Sequence, residues 1–280
     1  MRRYGLRDDQ WERIKDFLPG REGHVGGTAA DNRLFIEAVL SRYRAGIPWR
    51  DLPERFGDWK NTHKRFRRWC RSGVFERIFK TLAEDCDNEY MALDSTIVRA
   101  HQHSAGARKK TAAVQAIGRS RGGLTTKIHV IVDALGNPVT VSLTPGQASD
   151  LSQAAPLLDE VEPEAFLADK AYDADALIEA LEERGITPVI PPKANRLIQR
   201  ETDFALYCER NLVERFFCKL KGFRASARLM GDREELRLCR LHLPADCPDE
   251  AGELASDRRT GRVSTILGYA TQILTAADKS

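Results

Sequence analysis

The sequence lacks any run of about 18 apolar residues, so no membrane span is expected. Its N-terminal stretch, MRRYGLRDDQWERIKDF, has no apolar segment of the kind a signal peptide needs. Cysteine is sparse: Cys70, Cys86, Cys208, Cys218, Cys239 and Cys247 are scattered and form no CxxC pair. That excludes a disulfide framework and suits reduced thiols in a cytoplasmic protein. There is no internal repeat and no low-complexity tract. The net charge of +3 over 280 residues is too small to name a partner. The distribution of acids says more. Acidic residues are missing from Trp59 to Phe75 and again from Ser95 to Val132. A hydrophobic content of 42% with 30% charged residues suits a globular chain with a real core, as one large domain or two moderate ones.

What is present falls into two textures. The first 86 residues read as a small all-helical domain. Asp8 is placed to cap a helix with Trp11, Ile14, Phe17 and Leu18 on one face. Leu34, Phe35, Ala38, Val39 and Tyr43 mark a second helix, closed by Gly46. A short helix near Trp49 to Phe56, a turn at Gly57 and a longer helix from Asp58 to Arg71 outline a helix-turn-helix. Val74 to Leu82 suits one more helix. From residue 90 the pattern changes to strands: 91–98, then a hairpin over 126–143 turning at Gly136-Asn137. A helix at 151–161, a strand at 165–169, a helix at 174–184, a strand at 187–192 and a helix at 210–221 follow. That order predicts an α/β mixed sheet, antiparallel in its first half, with flanking helices: the order of the RNase H-like fold.

Three acids stand where such a sheet would need them. Asp94 lies at the end of the apolar part of the first strand, Asp169 ends the strand at 165–169, and Glu214 lies on the final helix. Carboxylates so placed can converge on one sheet edge and hold Mg²⁺ or Mn²⁺. Two such ions support in-line attack at phosphorus. Taken singly, each acid is more often a solvated turn residue or a helix cap; the triplet in this element order is the stronger signal. Tyr207, Arg210, Glu214 and Lys221 fall at i, i+3, i+7 and i+14, near one helical face. There Arg210 and Lys221 suit DNA phosphates, or Arg210 simply pairs with Glu214. In the first acid-free stretch Lys60, Lys64, Arg65, Arg67, Arg68 and Arg71 make a basic helix, interleaved with Phe66 and Trp69. It reads as a groove-docking element or as a solvated face. The second holds Arg108, Lys109 and Lys110, in a loop able to lay DNA over the metal site. His101 and His103 lack a zinc spacing, as do Cys239, His242 and Cys247; both groups are set aside as ligands. Asp173 is expected to cap the helix after it, Asp133 to sit in the hairpin, and Trp49 and Trp59 to pack the helical core.

The stretches LRDDQWERIKDFLPG, AGIPWRDLPERFGDWKNTHKRFRRWCRSGVFERIF, ALDSTIVRAHQHSAGARKK, GGLTTKIHVIVDALGNPV, LADKAYDAD and ERNLVERFFCKLKGFR resemble bacterial insertion-sequence transposases of the IS5 type, within the IS4-related group. The likeness covers residues 1 to about 224. It implies a DDE triad of Asp94, Asp169 and Glu214, with Tyr207, Arg210 and Lys221 in the signature around the glutamate. It also implies Mg²⁺, binding to terminal inverted repeats and target DNA, and action as a homo-oligomer on DNA, at the bacterial nucleoid.

Past residue 224 the chain departs from that pattern. Residues 225–280 are Arg-rich, broken by Pro244 and Pro248, and lack a sustained apolar stripe. They read as an atypical tail of the kind a reading-frame change produces, expected to be poorly ordered. The organisation anticipated is a helical DNA-binding domain (1–86), a catalytic domain (90–224) and this tail. The functions to separate are a transposase, a catalytically inactive copy that only binds DNA, and a structure-specific nuclease without strand transfer.

Overall fold

A computed structural model describes residues 5–21, 29–99 and 117–224. The expectations for the loop carrying His101, His103, Arg108, Lys109 and Lys110, and for the tail at 225–280 with Cys239, His242 and Cys247, lie outside the described residues.

Four helices form the first layer. α1 (Asp8–Ile14) runs into a 3-10 turn at Lys15–Phe17. Arg7, not Asp8, is its N-cap residue; the Arg7 amide donates to the Gln10 side chain at 3.0 Å. Ile14 and Leu18 are buried, but Phe17 is exposed, because the tighter 3-10 turn rotates it off the apolar face. α2 (Asn32–Ala45) starts where the Asp31 carboxylate accepts the Leu34 N–H at 2.7 Å. It stops at Gly46, whose φ of 66° is the left-handed cap geometry that glycine reaches without strain. The segment expected as a short helix near Trp49 to Phe56 is instead two 3-10 turns, Trp49–Asp51 and Glu54–Phe56. Pro53 between them has no N–H to continue a helical ladder. α3 (Trp59–Arg71) begins at the Asp58 cap, and α4 (Val74–Ala83) follows across Gly73. Phe66 sits at the middle of this layer, with ring centroids 5.0 Å from Trp49, 5.7 Å from Phe75 and 6.3 Å from Tyr43.

The rest is a six-stranded sheet. β1 (Tyr90–Arg99) lies at its centre. A short β2 (Gly118–Ser120), not anticipated from the sequence, folds onto the start of β3 (Gly123–Val132). β4 (Pro138–Pro145) pairs antiparallel with β3, which pairs antiparallel with β1. The β3–β4 turn has Gly136 at φ 77°, and the buried Asp133 carboxylate accepts the N–H groups of Leu135 and Asn137. After a 3-10 turn at Leu151–Gln153 and α5 (Ala154–Leu158), β5 (Ala165–Leu167) pairs parallel with β1. Then α6 (Asp175–Glu183) leads to β6 (Thr187–Val189), parallel to β5. The order β4–β3–β1–β5–β6, antiparallel on one side of β1 and parallel on the other, is the RNase H-like arrangement expected. α7 (Phe204–Tyr207), a 3-10 turn at Cys208–Arg210 and α8 (Asn211–Gly222) close the described chain.

Strand alternation sorts the side chains onto two faces. Ala92, Val98, Ile128, Val130, Ala165 and Leu167 meet Val213, Phe216, Phe217 and Leu220 of α8, in one cluster with Ile14, Phe66 and Phe75 of the helical layer. Burying each such α8 side chain contributes about 1.5–3 kcal/mol, which seats that helix firmly. Met91, Leu93, Ile131 and Phe166 face the other way, onto α5 and α6. No helix among the described residues is long and apolar enough to cross a membrane.

Candidate active site and nucleic-acid interface

Asp94 follows the fully buried run that opens β1, a strand that runs on to Arg99. It shares a face with Ala92 and Val98, the face under α8. The parallel register pairs Ala92 of β1 with Leu167, the last residue of β5, and Asp169 follows two residues past it. Asp169 lies within electrostatic reach of Asp94. Asp169 leaves β5 and caps the 3-10 turn Lys170–Tyr172, accepting the Ala171 N–H at 2.7 Å. Capping and a place in the site are thus compatible in one side chain. Glu214 comes from the first turn of α8.

Arg210 joins these elements. It donates to Asp94 Oδ2 at 2.8 Å and to Glu214 Oε1 at 2.7 Å. Its guanidinium also lies 5.7 Å from the centre of the Tyr207 ring. Tyr207 belongs to α7, not to the helix of Glu214, and the 3-10 turn between them keeps it near Arg210. Lys221 lies seven residues beyond Glu214, about 10 Å along the helix axis.

Burial pushes the Asp94 carboxyl above its ordinary value; the Ser95 N–H and Arg210 oppose the rise, and Asp169 adds to it. Arg210 is held above its ordinary value despite burial by Asp94, Tyr207 and Glu214. A half-buried carboxylate with a second acid within electrostatic reach is relieved by a cation. The donors are hard oxygens, which fit a divalent cation such as Mg²⁺ or Mn²⁺. Among the described residues, no three His, Cys, Asp or Glu side chains are gathered closely enough to enclose a metal ion. Arg210 supplies the positive charge between Asp94 and Glu214 in this arrangement.

The basic helix α3 divides into two sets. Lys60, Lys64, Arg67, Arg68 and Arg71, with Trp59, His63 and Ser72, line an open cleft of about 690 Å³ that contains no acid. Arg65 does not join them. It is turned inward, 4.3 Å from the Phe35 ring and 4.7 Å from that of Trp69, and bonds Asn32 Oδ1. Burial lowers its pKa. Periodicity could have separated it: Arg65 sits beside Phe66 and four residues before Trp69, on the apolar side of the helix.

Asp173 is a correction. Ala174, without a side-chain bond, is the N-cap residue of α6. The buried Asp173 carboxylate instead accepts from the Lys193 N–H at 2.8 Å, Arg196 Nε at 2.6 Å and Arg200. These bonds hold its pKa down at about 2 against the opposing effect of burial. They tie the segment before α7 to the turn that follows Asp169. Lys127 belongs to the second acid-free stretch, read above as facing DNA; Ser95, His129 and Asp150 carry no role in that reading. The signal available was two polar residues, Lys127 and His129, at alternate positions of an otherwise apolar strand.

An RNase H-like sheet with acids on its central strands, beside a basic helical cleft, defines an enzyme class that processes nucleic acid. The chain belongs to the DDE transposase family: residues 86–242 match the family profile "Transposase DDE domain", and residues 6–79 match "Putative transposase of IS4/5 family". It is 39% identical over 106 residues to the "Putative transposase for insertion sequence element IS6501" of Brucella ovis, covering 37% of this chain and 82% of that one. It is 33% identical over 118 residues to the corresponding protein of element IS402 from Burkholderia cepacia, covering 38% of this chain and 53% of that one. A solved piggyBac transposase synaptic complex with hairpin DNA aligns with a TM-score of 0.33 at 15% identity, over 70% of this chain and 49% of that one. The chain therefore spans about half the length of those last two proteins.

Proposed function

We propose that this transposase binds the ends of an insertion sequence and catalyses DNA strand cleavage and strand transfer, with Asp94, Asp169 and Glu214 as its catalytic, metal-holding residues. The observation that carries the reading is the meeting of β1, β5 and α8 at one place. Asp169 follows the β5 residue that pairs with Ala92 and lies within electrostatic reach of Asp94, and Arg210 couples Asp94 to Glu214. Mg²⁺ held by the three carboxylates, with Mn²⁺ as a substitute, would supply activation of water or a 3′-hydroxyl and stabilisation of the leaving oxygen. The protein's own part is to orient the acids and to bring phosphate against them. Arg210, with Tyr207 and Lys221 nearby on the same arm, is placed to turn from carboxylate to DNA phosphate when metal takes over its charge.

The α3 cleft supplies the second half of the reading. Lys60, Lys64, Arg67, Arg68 and Arg71 line one opening whose lining residues include no acid, so the cleft suits a DNA backbone. The helical part, 1–86, then acts as the end-binding element and 90–224 as the catalytic one. Two element ends must be held for joining, which favours a homo-oligomer on DNA at the nucleoid. The reading without catalysis draws no support from the site, where all the required acids are present. The deciding experiment incubates labelled terminal inverted-repeat DNA with the protein and Mg²⁺, comparing wild type with Asp94→Asn. Cut and joined products from wild type, and bound but uncut DNA with the variant, are expected. Cutting by Asp94→Asn at the wild-type rate would end the proposal, and cutting without joining would favour a nuclease.

A further inference from the structure

The sheet face turned away from α8 carries a polar cluster with no part in the chemistry above. Ser95 follows Asp94 in β1 and so points to the opposite face. Its hydroxyl donates to Asp150 Oδ1 at 2.6 Å. Lys127 of β3 approaches the same oxygen at 3.0 Å and donates to the Ala148 carbonyl at 2.8 Å. His129, next on that face, is fully buried, with Nε2 2.8 Å from Thr144 Oγ1 and Nδ1 3.8 Å from Asp150 Oδ1. Tyr172, three residues past Asp169, buries a hydroxyl without a well-formed hydrogen bond, within electrostatic reach of Asp150, Asp94 and Asp169.

Packing alone gives no reason for this chemistry. Buried strand positions are ordinarily apolar, and a buried lysine is costly unless paired. The geometry instead forms a line to the site. Asp150 fixes the Ser95 side chain, and the Ser95 N–H donates to Asp94 Oδ1 at 2.7 Å. We propose that Asp150 is a positioning residue that sets the orientation of the Asp94 carboxylate through Ser95. The proposal rests on the reading of Asp94 as a metal-holding acid. Partners one shell removed from a metal typically change affinity or activity about 10–100-fold when removed.

The test uses the full chain and Mn²⁺ as probe. Mn²⁺ binding is followed by its paramagnetic signal, DNA-end binding is measured without metal, and cleavage is titrated with Mn²⁺. Asp150→Ala and Ser95→Ala should each weaken Mn²⁺ binding, and raise the half-maximal Mn²⁺ concentration for cleavage, by about tenfold or more. Metal-free DNA binding should stay at the wild-type level. Asp150→Asn keeps an acceptor for the Ser95 hydroxyl and should recover to within about threefold of wild type. The Ser95→Ala/Asp150→Ala pair should cost no more than either change alone, because both cut one path. Ser95→Ala removes a single hydroxyl and carries the test if Asp150→Ala does not fold. A wild-type Mn²⁺ response in Ser95→Ala or in folded Asp150→Ala overturns the proposal, as does equal loss of metal-free DNA binding. If wild type and Asp94→Asn take up Mn²⁺ alike, the carboxylate reading itself fails, and the positioning role falls with it.

Discussion

The α3 cleft and the β1–β5–α8 site are charged in opposite ways, and they are built by opposite means. In the cleft, cations from a single helix crowd around one opening without an acid among the lining residues. In the site, Asp94 and Glu214, from elements far apart in the chain, share a single arginine, and Asp169 lies within electrostatic reach of Asp94. The cleft's chemistry needs only a helix, because consecutive turns of α3 already gather its charges. The site's chemistry exists only once the sheet register and the α8 packing bring distant residues together. One region is complementary to phosphate, the other to cations, and a DNA strand with metal ions supplies both.

The largest effect that can break this comparison lies in the site. Asp94→Asn should lower cleavage by about 10⁴-fold, the scale of removing a principal catalytic group, while DNA-end affinity stays within about threefold. A gel-shift and cleavage assay on one preparation measures both. If binding falls as far as cutting, the two regions are not separable.

The polar strip behind the site gives the next effect. Burial lowers the His129 pKa from 6.5 to about 4, so the fold holds it neutral. As pH falls, the unfolded chain takes up the proton first, so the neutral ring's contribution is intact above about pH 6.5 and is lost on the way down to about 4. The loss amounts to about 3 kcal/mol by that arithmetic. Urea unfolding at pH 7 and pH 4 should show it, and His129→Gln should flatten that part of the difference. An unchanged pH dependence in the variant would assign the acid sensitivity elsewhere.

The cleft should respond more gently. Replacing Lys60, Lys64 and Arg68 by alanine together should reduce the slope of log affinity against log salt by about 2.7 and weaken DNA binding roughly 30-fold at moderate salt. A binding isotherm series from low to high salt checks this. An unaltered slope would remove α3 from the interface. Arg65→Ala sharpens the same point with a smaller effect. It should cost about 1–2 kcal/mol of folding stability through lost ring contacts and leave the salt slope as it was.

Much of this molecule was readable in one dimension. The strand-helix order led to the observed sheet order, because period-two and period-3.6 patterns report burial directly. Gly46 and the Asp133–Gly136 turn were local signals with local consequences. The segment at Trp49–Phe56 was misread because its apolar spacing resembles a helix while Pro53 interrupts the ladder. The three-residue β2 was too short to leave a pattern. Asp173 looked like a cap because Asp before a helix usually is one. Its actual partners, Arg196 and Arg200, lie more than 20 residues away.

Residue order therefore settled which elements form and which residue types are available to them, since propensity, periodicity and capping act over a few residues. It also carried the family likeness. Three-dimensional packing settled which charges meet. Arg65 and Lys64 are neighbours in the chain, yet one is folded under Trp69 and the other lines the cleft. Asp94 and Asp169 are 75 residues apart and come within electrostatic reach of each other. Electrostatic interaction depends on distance through space and on burial, and neither quantity is written in the spacing of letters.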